Sequence, residues 1–286
     1  MYIALEIILI GRKIYFCRFC RFLYAIVYMS KNLVFTSCGD NTKFDILWTN
    51  NQNMNYDLYI IYYGDDTKIF EKYSANYNIN IITSRKGSKF QNFKFFYDTY
   101  NDIIKKYDYF FILDDDIIFD VDDINKMFNT AKQFNLDICG PSFKPESKIS
   151  HPITLNKPAV EITYTNFVEV NVPLFSYDAL VNLMSVYHDS LIGWGIDYLY
   201  INANGLNKTK SYAIVHSITC INPIKEDKQE KRYELSLITN YKIRRCIWND
   251  FAKTNGYKNK FNHVEYESIM AYEYNEYNEV SVGNYL

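Results

Sequence analysis

Residues 107–116 read YDYFFILDDD: an unbroken aromatic and aliphatic run that passes directly into three carboxylates, Asp114, Asp115 and Asp116. Such a run, without polar alternation, is the pattern of a strand covered on both faces. The pattern recurs on its N-terminal side. Residues 32–38 (NLVFTSC) end at Gly39-Asp40, and residues 57–63 (DLYIIYY) end at Gly64-Asp65-Asp66. Residues 79–83 (INIIT) end at a turn containing Arg85, Lys86, Gly87, Ser88 and Lys89. Helical spacing follows over 90–105 and again over 122–135, and residues 136–139 resume as strand. Apolar strands alternating with helices predict an α/β, Rossmann-like fold: a mixed, mostly parallel sheet with helices on both faces. Each polar cluster sits at the carboxyl end of its strand, the edge at which open α/β sheets hold ligands.

The second half reads differently. Residues 160–175 look extended with partial alternation, 176–188 fit a helix, and 211–221 form an apolar strand containing His216. A charged stretch, a helix to about 254 and a tail rich in Tyr, Glu and Asn complete the chain. With no internal repeat and no flexible linker, the expectation is one catalytic domain over 31–224. It is flanked by an apolar, basic extension over 1–30 and a C-terminal helical segment and tail over 225–286.

Composition narrows the function. The chain has 286 residues, 48% hydrophobic and 22% charged, which excludes disorder over most of its length. A net charge of −2 argues against nucleic acid as the main partner, because phosphate backbones demand an excess of Lys and Arg. Aromatic residues reach 18%, but most fall in strands and helix faces, where packing accounts for them. The six cysteines are widely spaced, and the lone pair Cys17 and Cys20 lacks the second pair a structural zinc needs. They read as reduced thiols in a cytoplasmic setting, host cytoplasm if the protein is viral. Residues 1–30 are apolar but interrupted by Glu6, Arg12, Lys13, Arg18 and Arg21. Charges at mid-membrane cost about 2.5–3.5 kcal/mol each, which weighs against a spanning helix. The preferred reading is a start at Met29 or an extension outside the fold. Peripheral membrane contact through residues 1–28 is the alternative.

Three adjacent carboxylates after a buried strand repel one another unless a cation neutralises them. In extended backbone Asp114 and Asp116 point to the same side. Two oxygens there suit manganese or magnesium, which keeps positions for water and phosphate. The competing structural reading is a solvated acidic loop or helix cap. Two enzyme classes use such a D-x-D strand end: sugar transferases that hold a nucleotide diphosphate through the metal, and aspartate-nucleophile phosphatases. The phosphatase expects its motif near the start of the fold and a later Asp pair. Here three strands precede the triplet and no later pair exists, which favours the transferase. A degenerate transferase fold serving as a glycan-binding module is the non-enzymatic alternative, and the intact acidic triplet weighs against it.

The second informative element is Gly193-Trp194-Gly195-Ile196-Asp197. Two glycines let backbone approach a ligand closely, Trp194 offers a flat face to a sugar, and Asp197 a carboxylate able to accept a proton. Read structurally, the same residues are a helix-start turn with Trp194 in the core and Asp197 as a cap. Arg85 and Lys89 are candidates to pair with nucleotide phosphates and Asp65 to contact ribose or base, against the plainer reading of solvated loops. Asp115 and Gly195 join the nucleotide-binding set, and Glu169 and His151 are weaker candidates.

Taken in order, Asn32-Leu33-Val34-Phe35-Thr36, the triplet, the stretch from Asn166 to Ser176 (NFVEVNVPLFS) and Gly193 to Asp197 resemble an uncharacterised family of plant, bacterial and viral proteins regarded as GT-A-like glycosyltransferases. The resemblance covers about two thirds of the chain. It implies a nucleotide-sugar donor, a divalent metal, and an acceptor that is a glycan, a protein or a small molecule. Many such enzymes complete the metal site with a C-terminal His, a role His216 is placed in order to fill. The family's own pattern has an Asp in the V-V-D-S-like turn that aligns here with Ile214-Val215-His216-Ser217.

Overall fold

The computed structural model describes residues 31–50, 53–224, 235 and 238–271. The extension over 1–30, nearly all of 225–237 and the tail beyond 271 lie outside the described residues, as do the expectations placed on them. In chain order the elements are β1 (Asn32–Cys38), α1 (Phe44–Leu47), β2 (Tyr56–Tyr62), α2 (Thr67–Ser74), β3 (Ile79–Ser84), α3 (Lys89–Thr99), α4 (Asn101–Ile104) and β4 (Tyr109–Ile112). Then come α5 (Val121–Gln133), β5 (Ile138–Phe143), β6 (Val160–Thr165), β7 (Leu174–Ser176), α6 (Tyr177–Val186), α7 (Ile196–Asn204), β8 (Tyr212–Cys220), α8 (Tyr241–Thr254) and β9 (Glu265–Met270).

The strands form one 9-stranded sheet in the order β3-β2-β1-β4-β7-β5-β8-β6-β9. β1 pairs in parallel with β2 and β4, β2 with β3, and β5 with β8. Only β6 and β7 run against the rest, so the sheet is mixed and mostly parallel, as expected. Strand alternation divides the core. Val34 and Phe111 face α1, α2 and α5, where Phe44, Tyr73, Met127 and Phe128 are buried. Leu33, Phe35, Phe110 and Ile112 face α3, α6, α7 and α8, with Phe93, Phe96, Leu183, Tyr200 and Trp248. The apolar strands had to be unbroken because both of their faces are covered.

Three elements depart from the sequence reading. α2 was not expected; it is capped by Asp66, whose Oδ1 accepts from the Lys68 N–H at 2.8 Å. The extended stretch 160–175 is two strands, β6 and β7, joined by an irregular crossing over 166–173. β9 forms in the polar tail region: it pairs with the sheet edge through its backbone while most of its side chains are exposed, so no apolar pattern announces it. Among the described residues no helix is long and apolar enough to cross a membrane, and Cys38, Cys139, Cys220 and Cys246 are free thiols.

The start of α7 shows why the second motif needs its glycines. Gly195, the residue before the helix, has φ 81°, the left-handed region. A Cβ there would overlap the indole of Trp248 on α8, which is buried and donates from Nε1 to the Asn259 carbonyl at 2.9 Å. Gly195→Ala combines left-handed strain with a clash in the core, and a loss of about 2–4 kcal/mol is expected. Thermal or urea unfolding measures it; a loss below about 0.5 kcal/mol would show that α7 and α8 do not pack this way.

Candidate active site

β4 runs out at the carboxyl edge of the sheet, and the turn after it is pinned on two sides. The Asp114 N–H donates to the Asn171 carbonyl at 2.9 Å, and Ile118 bridges to Ile221. The three carboxylates then take separate roles. Asp115 is buried, and its Oδ2 accepts from the Gly39 N–H at the end of β1, 3.0 Å away. Asp114 pairs through Oδ1 with Lys89 Nζ at 2.8 Å. Asp116 lies half-buried beside them.

Lys89 opens α3, whose first turn is set by Gln91 Oε1 accepting from the Ser88 N–H at 2.9 Å. Its side chain is only 10% exposed. Besides Asp114, the ammonium donates to the carbonyls of Ile112 (3.1 Å), Val170 (2.7 Å) and Asn171 (3.2 Å). Burial pushes its pKa down, and the charges of Asp114, Asp116 and Asp115 draw it back up. Lys89 is therefore the internal counter-ion of the triplet, with every proton already directed at an oxygen.

Above this pair opens a cavity of about 790 Å³, within the range of small-molecule sites. Its walls include Ser37, Tyr63, Lys89, all three carboxylates, Lys148, Asn171, Gly193, Trp194, Asn222 and Arg244. Trp194 is held edge-to-face by Tyr241, with ring centroids 4.7 Å apart. The acidic triplet and the glycine–tryptophan loop, far apart in the chain, thus line one space.

Other residues singled out in the sequence lie elsewhere. The Arg85 guanidinium bonds Asn92 Oδ1 and covers the Phe95 ring at 5.2 Å, and Asp65 forms an exposed ion pair with Lys86 at 2.7 Å; neither lines the cavity. His216 is buried in β8. Its Nδ1 accepts from the Lys157 N–H at 3.2 Å, which leaves Nε2 as the proton-bearing nitrogen facing Thr163 Oγ1 at 3.1 Å. Burial, reinforced by Lys157, takes its pKa down to about 4. A metal ligand needs a nitrogen lone pair to spare, and both ring nitrogens are engaged. Among the described residues no group of three His, Cys, Asp or Glu side chains is arranged to hold a metal ion. The residues that fit one are the cavity-facing carboxylates of Asp114 and Asp116, a number sufficient for an ion that keeps waters and phosphate oxygens as its other ligands. His151 lies apart as well, its ring against Phe167 at 4.6 Å and His263 at 5.1 Å.

Asp197 and Glu169 form a second acidic group that does not line the cavity. Asp197 sits in the first turn of α7, buried, with Oδ1 accepting from the Tyr198 N–H at 3.0 Å. Burial raises its pKa to about 7. Glu169 lies in the irregular crossing, where Thr154 and Asn171 each donate to it at 3.4 Å. Burial first, then the charge of Asp197, raises Glu169 to about 7 as well. Sequence reading passed over Arg244, Lys148 and Tyr63, which carry no motif and come to the cavity from unrelated elements, and over Asn171, which lies in the quoted 166–176 stretch without a role of its own there.

Chain, fold and cavity together define an α/β protein with an acidic, cation-balanced cavity at the carboxyl edge of its sheet. Residues 27–234 match the profile of a family described as "Protein of unknown function (DUF707)", and the chain belongs to that family. The matched segment contains both cavity motifs and stops short of α8. No curated protein matches the chain. Among solved structures, S. aureus TarS is similar with a TM-score of 0.49 and 11% identity, covering 78% of this chain and 40% of its own. S. aureus TarS 1–349 in complex with UDP-GlcNAc is similar with a TM-score of 0.49 and 10% identity, over 79% of this chain and 66% of that one. The chain thus spans about two fifths of the TarS chain it matches.

The buried acids give a signed pH dependence. An Asp or Glu titrates near 4 when unfolded and here near 7 when folded, so the fold favours the protonated form. That contribution is complete below pH 4 and is lost as the pH rises through 7. Asp197→Asn cannot ionise, so its melting temperature should gain on the wild type steadily between about pH 4 and 7 and the gap should level off above that. A gap that stays constant with pH would contradict the burial of an ionisable Asp197.

Proposed function

We propose that the protein is a metal-dependent glycosyltransferase of GT-A-like construction, moving a sugar from a nucleotide-diphosphate donor to a glycan, protein or small-molecule acceptor. The observation that carries this reading is the meeting of the acidic triplet and Trp194 in one cavity at the carboxyl edge of the sheet. A site for clustered negative charge beside an aromatic platform suits a ligand with a diphosphate at one end and a sugar at the other. In this reading Asp114 and Asp116 hold manganese or magnesium, which when bound supplies charge stabilisation to the departing diphosphate.

The chain's own residues do the remaining work. Lys89 fixes the Asp114 carboxylate, so that one oxygen is committed to the ion pair and the carboxylate keeps a set orientation. Asp115 locks the triplet's turn to the end of β1. Trp194, braced by Tyr241, offers its ring to the sugar. Asp197 is the proposed base of an inverting reaction, raised to about 7 by burial; because its carboxyl does not line the cavity, it takes the acceptor proton through one bridging water. His216 is left out of the metal site, because its ring nitrogens are bonded within the sheet. A cytoplasmic setting, inferred from the thiols, belongs to the same proposal.

The test is a screen of nucleotide-sugar hydrolysis and transfer with manganese, with magnesium and with a chelator. Turnover of at least one donor, dependent on metal and reduced a hundredfold or more in Asp116→Ala, is expected. Wild-type and Asp116→Ala proteins that behave alike toward every donor would contradict it. Hydrolysis of small phosphate esters, abolished in Asp114→Asn, would replace it with the phosphatase.

A further inference from the structure

Arg244 lines the same cavity and belongs to neither motif. It stands on α8, ten residues beyond the end of the family-matched segment. Tyr241, Arg244 and Trp248 are spaced three and four apart, so they share one helix face. Trp248 anchors that face in the core, and Tyr241 meets Trp194. Between them the guanidinium lies against the glycine–tryptophan loop: a Cβ on Gly193 would be 3.5 Å from Arg244 Nη1.

The described residues around it do not satisfy it. Nε is buried with no hydrogen-bond partner, and among the described residues Arg244 makes no ion pair. Burial acts against its charge. A half-buried guanidinium that no described residue neutralises favours the arrival of an anion, and its planar fork matches phosphate oxygens. Lys148, exposed on the same cavity wall, adds a second positive charge. Lys89 does not compete for the anion, because its protons are already placed.

We propose that Arg244 is a phosphate-binding residue of the cavity, so that a helix outside the matched family segment completes the site and takes the diphosphate of the nucleotide. This rests on the nucleotide-donor reading above for the identity of the anion, but not for its charge or geometry. α8 then has a double role: Trp248 closes the core behind α7, and Arg244 faces the ligand.

Isothermal titration of the full chain with inorganic pyrophosphate and with uridine, guanosine and adenosine diphosphates, in chelator and in manganese, tests it. Pyrophosphate should bind the wild type in chelator, Arg244→Gln should weaken it about tenfold or more, and Arg244→Lys should fall between. Melting curves show that both variants are folded; should Arg244→Gln unfold, the wild-type to Arg244→Lys ratio is read instead. Equal pyrophosphate affinity in wild type and variants, or no binding of any probe to the wild type, overturns the proposal. Arg244-dependent pyrophosphate binding with no nucleoside diphosphate bound in either condition upholds Arg244 and rejects the nucleotide donor. Donor turnover that Arg244→Gln leaves unchanged upholds the transferase and rejects Arg244.

Discussion

The Lys89–Asp114 ion pair is the interaction on which the site depends. Its ammonium gathers the start of α3, the end of β4 and the irregular crossing over 166–173 around a single charge. A cation this buried is tolerable only with close oxygens on several sides. The triplet supplies the charge and three carbonyls supply the remaining acceptors. The same pair therefore restrains the fold and sets how much negative charge the cavity presents. Of the three carboxylates lining the cavity, one is balanced by Lys89, one is bonded to the end of β1, and Asp116 is half-buried beside them.

A second constraint brings the distant motif to this place. The glycine–tryptophan loop can approach the cavity only because Gly195 takes a left-handed conformation and leaves room for Trp248. α7 then continues into the core, carrying Asp197 with it. Asp197 and Glu169 come to lie off the cavity lining, where the scarcity of solvent holds both carboxyls near neutrality. The site thus has two parts. Charged groups line the cavity, and a buried acid pair does not. Asn171 links the two: its carbonyl accepts from Lys89, and its side chain donates to Glu169.

Much of this was readable in the sequence, for a physical reason. Strands covered on both faces must be apolar throughout, so β1, β2 and β4 announce themselves, and the polar residue after each marks the ligand edge. That logic points to Asp114 and Asp116, whereas Trp194 is singled out by the two glycines around it. Residues held by pairwise contacts are not. Lys89 reads as a loop cation and proves to be an internal counter-ion, because its partners arrive from residues 112 and 170–171. Arg85 and Asp65 sit at the right strand end but spend their charge on Asn92 and Lys86. His216 has the right order in the chain, yet its ring is consumed by Lys157 and Thr163. Arg244 carries no local pattern at all; only the packing of Trp248 determines where it points.

The most direct measurement of the central claim is a crystal soaked with manganese and a nucleoside diphosphate, with anomalous diffraction collected at the manganese edge. The account expects one strong anomalous peak at the carboxylates of Asp114 and Asp116, with the diphosphate beside it and the sugar end toward Trp194. Manganese bound elsewhere, or a nucleotide lodged outside this cavity, would contradict it.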